Sequence, residues 1–429
     1  MTIVKSWRQR AHIALIILAA AVAFGACDEQ LDSGAGCPIL CPTPPGQVHD
    51  TSFVAVAMDT SLSGFPGKGL ETALFLAAFG DTLQTRGVIR FDSLPQTFRH
   101  DNSATDSATY AIDTGAVLRV YVAVPDTLGQ QTTVEAYDVD LGGPDDTNPD
   151  AVASAFTPDR LLGSRVLPPA SIRDSIDIPI DPAKLLLKVQ TDTPDNRLRV
   201  GLRVTNAKLS LYTTNFDPST SPKLMFRPSA GDTSVAVESV LPASGAPADE
   251  PTLADALKDY LTVVIGPPAP PPATIRVGGL PGRRAYLLFD VPARIIDSTD
   301  IIRASLLLTQ RPSPGSAQPY DTIGVQEFAV SAGSTITDLN RALGLLVGLR
   351  PDTVKLMPTD SGTRTFEMLE QVNFWRSTTA SKTPRAMALR STQEGKTGGQ
   401  IDFFSVEAPA DVRPVLKITY LPRRGAPLP

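Results

Sequence analysis

Little in this chain advertises chemistry. Of its 429 residues three are histidine, three cysteine and two tryptophan, and aromatics make up 6%. No histidine falls in H-E-x-x-H, which excludes a zincin. No G-x-S-x-G is present, which excludes a nucleophile elbow. After the N-terminus no uninterrupted apolar run reaches the roughly 20 residues that a spanning helix needs. The net charge is −6 with no basic cluster, so nucleic acid is not expected as a partner, because phosphate neutralisation supplies most of that affinity. What is abundant is proline, 39 residues. Proline suits many short strands and turns better than long helices.

The N-terminus has the layout of a secretory signal. Lys5, Arg8 and Arg10 precede an apolar run from Ala11 to Ala23, broken only by His12. Small residues follow at the expected cut. Phe24-Gly25-Ala26-Cys27 resembles the bacterial lipobox, with Phe24 where that pattern usually has leucine. The resemblance implies a lipid on the Cys27 thiol, residues 1–26 removed, and attachment to the cell envelope, on a periplasmic or surface face. Loss of Lys5, Arg8 and Arg10 takes the net charge from −6 to −9. Stable anchoring needs more than one acyl chain, at about 0.8 kcal/mol per buried CH₂.

Residues 27–47 are rich in Gly, Pro, Asp and Thr without an apolar period. They read as a tether, with structure expected from Val48. Cys37 and Cys41 lie in this tether. In an oxidising compartment a disulfide between them is expected, closing a small loop for about 2 kcal/mol of chain entropy. A metal centre needs four ligands, and only His49 is near. The spacing is not the C-x-x-C of a redox motif.

The remainder reads as one unit used twice. Asp50 to Val56 matches Asp232 to Val237, Arg86 to Pro95 matches Arg284 to Pro292, and Ala116 to Val122 matches Ala304 to Leu308. Val134 to Val139 matches Val325 to Val330, and Ser221 to Phe226 matches Arg413 to Ile418. A period near 180 residues means duplicated domains, since solenoid repeats run about 20–50. The local signal is β. Leu198 to Val204 alternates strictly, which puts Arg199 and Arg203 on a wet face. Val88, Arg90 and Asp92 are likewise expected outward, with Ile89 and Phe91 inward. Short helices are expected from Asp181-Pro182 through Leu187, from Thr337 or Asp338 to Leu346, and from Phe366 to Trp375, with Trp375 a core anchor. The expected fold is all-β: two tandem antiparallel, jelly-roll-like β-sandwiches, residues 48–230 and 231–424, with residues 425–429 a tail.

The repeated blocks resemble the DNRLRE-type extracellular β-sandwich family. The resemblance rests on Arg284 to Pro292, Ala304 to Leu308, Phe366 to Trp375, Ser405-Val406-Glu407 and Arg413-Pro414-Val415-Leu416. The first half lacks the tryptophan and the Ser-x-Glu. The resemblance implies a sandwich on secreted or surface proteins and assigns no activity, although some members resemble carbohydrate-binding modules.

Few residues suggest a site. Gly395-Lys396-Thr397 echoes the end of a P-loop, but position 390 is Arg, and a strand-to-strand turn is expected. His100 falls in a polar loop. Asp138, Asp140, Asp145, Asp146 and Asp150 crowd one stretch. A solvated acidic loop is the first reading. Calcium, which takes six to eight oxygens, is the alternative; no other cofactor is expected. The function expected is a non-catalytic envelope lipoprotein, structural, adhesive or binding. Its partners are the membrane through its anchor and a polysaccharide or another envelope protein. A carbohydrate-binding role is the alternative.

Overall fold

The computed structural model describes residues 47–423 apart from 67, 92–93, 95–96, 100–106, 110–111, 113–115, 142–147, 191–196, 227–237, 241–258, 314, 317, 319, 331–345, 348–350 and 377–384. A compact unit begins at Val48, where structure is expected to start. Cys27, Cys37, Cys41, Asp145, Asp146 and His100 lie outside the described residues.

In chain order the strands are β1 (His49–Phe65), β2 (Ala73–Phe79), β3 (Leu83–Phe91), β4 (Thr97–Arg99), β5 (Ser107–Thr109), β6 (Val117–Val124), β7 (Asp126–Thr127), β8 (Thr132–Asp138), β9 (Leu161–Leu167), β10 (Ser171–Ile172), β11 (Ser175–Pro179), β12 (Leu198–Val204) and β13 (Lys208–Tyr212). They continue with β14 (Lys223–Phe226), β15 (Glu238–Val240), β16 (Asp259–Ile265), β17 (Thr274–Gly278), β18 (Gly282–Phe289), β19 (Thr299–Arg311), β20 (Ile323–Val330), β21 (Leu346–Val347), β22 (Thr353–Leu356), β23 (Gly362–Glu367), β24 (Ala386–Ser391), β25 (Gln400–Phe404) and β26 (Val415–Pro422).

Two antiparallel networks result. The first runs β15-β14-β6-β13-β2-β3-β12-β8-β9, with β11 also on β6 and β16 on β3. The second runs β1-β26-β19-β25-β17-β18-β24-β20-β21, with β22 on β20, β23 on β19 and β1 also on β18. Position for position the networks match: β14 answers to β26, β6 to β19, β13 to β25, β2 to β17, β3 to β18, β12 to β24 and β8 to β20. Each folds around its own apolar core. One holds Ile89, Phe91, Leu118, Val134, Val200 and Leu224. The other holds Leu287, Phe289, Leu306, Val325, Phe366, Trp375 and Leu416. The fold is the all-β sandwich expected; four of the repeated blocks occupy equivalent strands, while Asp232 to Val237 lies outside the described residues.

The sheets do not respect a boundary at residue 230. β1, placed by sequence in the first half, belongs to the second sandwich. Its first part pairs with β26 from His49↔Tyr420 to Val54↔Val415. After a bulge between Ala55 and Met58 it pairs with β18 from Met58↔Leu288 to Phe65↔Gly282. Conversely β15 pairs with β14 and β16 with β3, so strands from beyond residue 230 complete the first sandwich. The opening segments of the two halves are therefore exchanged. The cause is that a sandwich core has two sheets to close, and β1, long enough to bend at a bulge, serves both. Side chains fix it further: Thr419 Oγ1 donates to Asp50 Oδ1 at 2.6 Å, the Arg276 amide to Ser61 Oγ at 2.7 Å, and the Val406 amide to Asp59. Gly282 permits the closest approach, because a Cβ there would lie 2.2 Å from the Phe65 carbonyl oxygen.

Several local expectations hold. Phe91 and Phe289 are buried and Asp290 is exposed. The Asp181 carboxylate accepts from the Ala183 amide at 2.9 Å at the start of a helix over Pro182–Gln190. A second helix, Leu369–Trp375, buries Val372 and Trp375; Phe366, expected on it, lies in β23. Leu346, expected at a helix end, is in a strand pairing with Val330. Arg90 and Arg199 do not lie on a wet face. Arg90 and Arg199 are 1% and 0% exposed and stand opposite each other across β3 and β12. The outer face of those strands is covered by a small second core of Val88, Tyr137, Val152 and Tyr260, with Phe156 against it. Alternation assigns a residue to a face but does not say whether that face is wet.

The exchange predicts that a fragment spanning residues 231–424 will not fold alone, because β26 and β18 lose their partner. Adding a peptide of residues 48–66 should restore a cooperative calorimetric melt. A cooperative melt without the peptide would show that β1 is dispensable.

Candidate functional site

The two described carboxylates at the start of the acidic stretch, Asp138 and Asp140, lie in ion pairs. Lys188 Nζ lies 2.8 Å from Asp138 Oδ2 and 4.0 Å from Asp140 Oδ2, and Arg197 Nη2 lies 3.3 Å from Asp140 Oδ1. Asp150 stands apart, in the first turn of a helix over Pro149–Ser154 that Asn148 caps. Asp138 and Asp140 are thus paired with protein cations. Among the described residues no group of three or more His, Cys, Asp or Glu converges on a metal position.

The more informative ground is the junction of the two sandwiches. It is organised by the turn between β24 and β25, which contains Gly395-Lys396-Thr397 and is a strand-to-strand connection as expected. Glu394 in this turn takes both arms of Arg284, from β18, at 2.8 and 2.6 Å. The pair is nearly enclosed, and the guanidinium lies 4.0 Å over the Phe65 ring. Burial works against the charge of Arg284, yet Glu394 outweighs it and holds the guanidinium above its ordinary pKa. Gly395 has φ +76° and packs on Pro66, where a Cβ would come to 2.8 Å of the ring. Lys396 reaches across to the first sandwich, 5.2 Å from the Phe216 ring, itself stacked on Tyr212 at 4.1 Å. The Gly398 amide donates to Gln318 Oε1 at 2.7 Å.

A cavity opens on each side of this turn. The larger, about 370 Å³, is lined by Lys208, Leu209 and Ser210 of β13, by Val124 and Pro125, and by Gln318, Tyr320, Asp321, Gln393 and Lys396 of the second sandwich. Asp321 accepts from Lys208 Nζ at 3.0 Å and from Gln318 Nε2 at 2.5 Å, which ties the two sandwiches together. Tyr320 is 80% exposed, the most open of the large hydrophobic side chains. The arrangement is a free aromatic face beside planar amide, carboxylate and ammonium groups already fixed by each other.

The smaller cavity, about 240 Å³, is largely apolar. Phe65, Pro66, Leu261, Val263, Leu280 and Pro281 line it together with Lys68 and Glu71. Leu280 enters from the second sandwich and packs with Phe75, Ala77 and Leu83 of the first. Glu71 is 5% exposed. Its Oε1 accepts from the Leu261 amide at 3.3 Å, while its Oε2 is buried with no hydrogen-bond partner among the described residues. Burial pushes the carboxyl up to about 7, opposed by the amides of Glu71, Leu261 and Gly69 and aided by the charge of Asp259. Lys68 is pushed down by burial, and its Nζ lies 4.7 Å from the Tyr260 ring centroid. A third depression, on the outer face of the second sandwich, is lined by Asp50, Ser52, Arg303, Ser305, Thr365 and Lys417 and contains no aromatic side chain.

None of the residues at the junction cavities stood out as a site in the sequence. The available signal for Tyr320 was its position in the proline- and serine-rich stretch from Pro312 to Asp321, since an aromatic residue in a turn-rich loop has no core to enter. Glu71 gave no signal, because its burial arises from β16 and Leu280, both remote in sequence.

No family model matches the chain, and no curated protein matches it. Among solved structures, the VP2 subviral particle of infectious bursal disease virus is 10% identical, with 88% of this chain and 77% of that one covered and a TM-score of 0.12. Infectious bursal virus-derived T=1 particles are also 10% identical, covering 86% and 77%, with a TM-score of 0.10. Likeness at this level carries no argument about function.

Glu71 makes stability depend on pH. Its folded pKa lies above the ordinary 4.5, so its contribution is fully present below about 4.5 and is lost as pH rises through about 7. The full swing is roughly 3 kcal/mol. Glu71→Gln should remove that part of the slope between pH 5 and pH 8 in thermal melts. Glu327, buried and also raised to about 7 mainly by burial, acts in the same direction, so the readout is the difference from wild type. Parallel melting curves for wild type and variant across that range would refute the assignment.

Proposed function

We propose that this protein is a non-catalytic binding module of the bacterial cell envelope, lipid-anchored at Cys27, whose ligand is a carbohydrate held in the junction cavity beside Tyr320. The observation that carries the reading is the exposed Tyr320 ring at the edge of a polar cavity. A sugar ring presents an apolar C–H face and a polar circumference. The first stacks on an aromatic face, and the second needs planar donors and acceptors that are already oriented. Gln318 and Asp321 provide such groups, and Gln393 and Lys396 add further polar side chains to the lining. Asp321, held by Lys208 and Gln318, is suited to accepting from hydroxyls rather than to moving protons. The outer-face depression offers hydrogen bonding without a stacking surface and is less suited to this class of ligand.

A glycan array probed with the mature chain tests the reading. Tyr320→Ala should weaken binding at least tenfold. Because the ring is mostly exposed, the melting point should move by no more than the equivalent of about 0.5 kcal/mol. An array without any retained glycan would return the protein to a purely structural or adhesive role.

The anchor is tested separately. The charged N-terminal segment, its apolar run and Gly25-Ala26-Cys27 motivate it. Cys27→Ser should move the protein from the detergent phase to the aqueous phase in a cloud-point extraction. Retention of the variant in detergent would place the attachment elsewhere.

A further inference from the structure

We propose that the cavity at Glu71 is a second binding site, specific for a small primary ammonium ion on a branched apolar body. The site is separate from the Tyr320 cavity, and the inference stands whether or not that cavity takes a carbohydrate. Three features carry it. The first is the acceptor: Glu71 Oε2 is enclosed and meets no donor among the described residues, a costly state for a buried polar atom. The second is the wall. Leu261, Val263, Leu280 and Pro281 offer only hydrocarbon, so a ligand needs an apolar part to match. The third is size. At about 240 Å³ the cavity falls below the roughly 300–1,000 Å³ of sites for drug-sized molecules.

The chemistry selects an ammonium over the alternatives. A hydroxyl could meet Oε2, but a charge-assisted N–H bond is about twice as strong as a neutral one. A metal ion would need several more oxygens than one carboxylate and the Thr262 hydroxyl supply. A compact ammonium gives donors and charge together and replaces the proton that the enclosed carboxyl otherwise retains.

Among the described residues the surrounding charges are few. Lys68 shares the lining and opposes a bound cation, while Asp259, within Coulombic reach of Glu71, favours it. Asp259 accepts from the Thr214 amide and hydroxyl, both at 2.8 Å. From the second sandwich, Arg284 and Glu394 are closed on each other. Lys396 is turned to Phe216, and Arg283 lies in the field of Arg276 and Asp402.

The test uses the full-length chain in detergent and two isosteric probes, isobutylammonium and isobutanol, followed by saturation-transfer NMR. At pH 8 the ammonium should bind saturably and the alcohol at least tenfold more weakly. Ammonium binding should fall about tenfold from pH 8 to pH 6, as the carboxyl takes up its proton. Glu71→Gln should lose at least tenfold at pH 8. Equal binding of the two probes would reduce the site to a hydrophobic crevice and overturn the proposal. So would no binding, a pH-independent affinity, or an unchanged Glu71→Gln. Should that variant fail to fold, the probe comparison and the pH series in the wild type decide.

Discussion

The second sandwich depends on β1, a strand whose sequence neighbours belong to the first. Antiparallel pairing along both β26 and β18 makes one strand close two sheet margins of the same core. An open margin in a sandwich exposes backbone donors and acceptors and the apolar residues beneath them. In the first sandwich the corresponding margins are filled by two strands, β15 and β16. The duplicated halves are therefore interlocked, and the second core is complete only with residues from the beginning of the chain.

The interlock forces the two sandwiches into contact and so creates the junction. There the turn after β24 is fixed by a bidentate ion pair that leaves no net charge, by a glycine fitted against Pro66, and by Lys396 on an aromatic stack. With the turn anchored, the spaces on either side cannot collapse. One is bordered by polar side chains from both sandwiches, the other mainly by hydrocarbon, with Glu71, Lys68 and Thr262 as its polar side chains. Their difference in character comes from which strands reach the junction: β13 supplies Lys208 and Ser210 to the first, and β16 supplies Leu261 and Val263 to the second.

Much of the fold could be read from residues alone. Strict alternation identified β12, the Phe-Asp pattern identified β3 and β18 with their buried phenylalanines, and Asp181-Pro182 marked a helix start. The internal matches located equivalent strands because duplicated strands retain the same inward residues. Partner choice was not legible. Pattern reports which side of a strand is apolar, and says nothing of whether His49 meets its own half or Tyr420. The same gap explains Arg90 and Arg199, assigned to water because the cover over their face is built from Tyr137, Val152 and Tyr260, each remote in sequence. The acidic stretch was noticed, but Lys188 and Arg197, the cations that neutralise Asp138 and Asp140, come from farther along the chain. The junction residues suffered most, since a site shared by two sandwiches leaves its parts scattered.

The exchange also sets an order of events. Residues are made from the N-terminus onward, and Asp50 meets its partner Thr419 across a sequence separation of 369. The first sandwich can begin to assemble once β16 has emerged, and it uses nothing from β1. During that interval β1 has neither of its neighbours; its second part can pair once β18 has been made, and its first part waits for β26. Pairings this distant are slow to form, and unpaired strands in incomplete chains are prone to associate with other copies. The alternation in β1 is accordingly diluted: Asp50, Ser52, Asp59, Ser61 and Ser63 interrupt its apolar residues. A strand so mixed is poorly suited to self-association while it waits, and its polar groups find their partners in turn, Ser61 on Arg276, Asp59 on Val406 and Asp50 on Thr419.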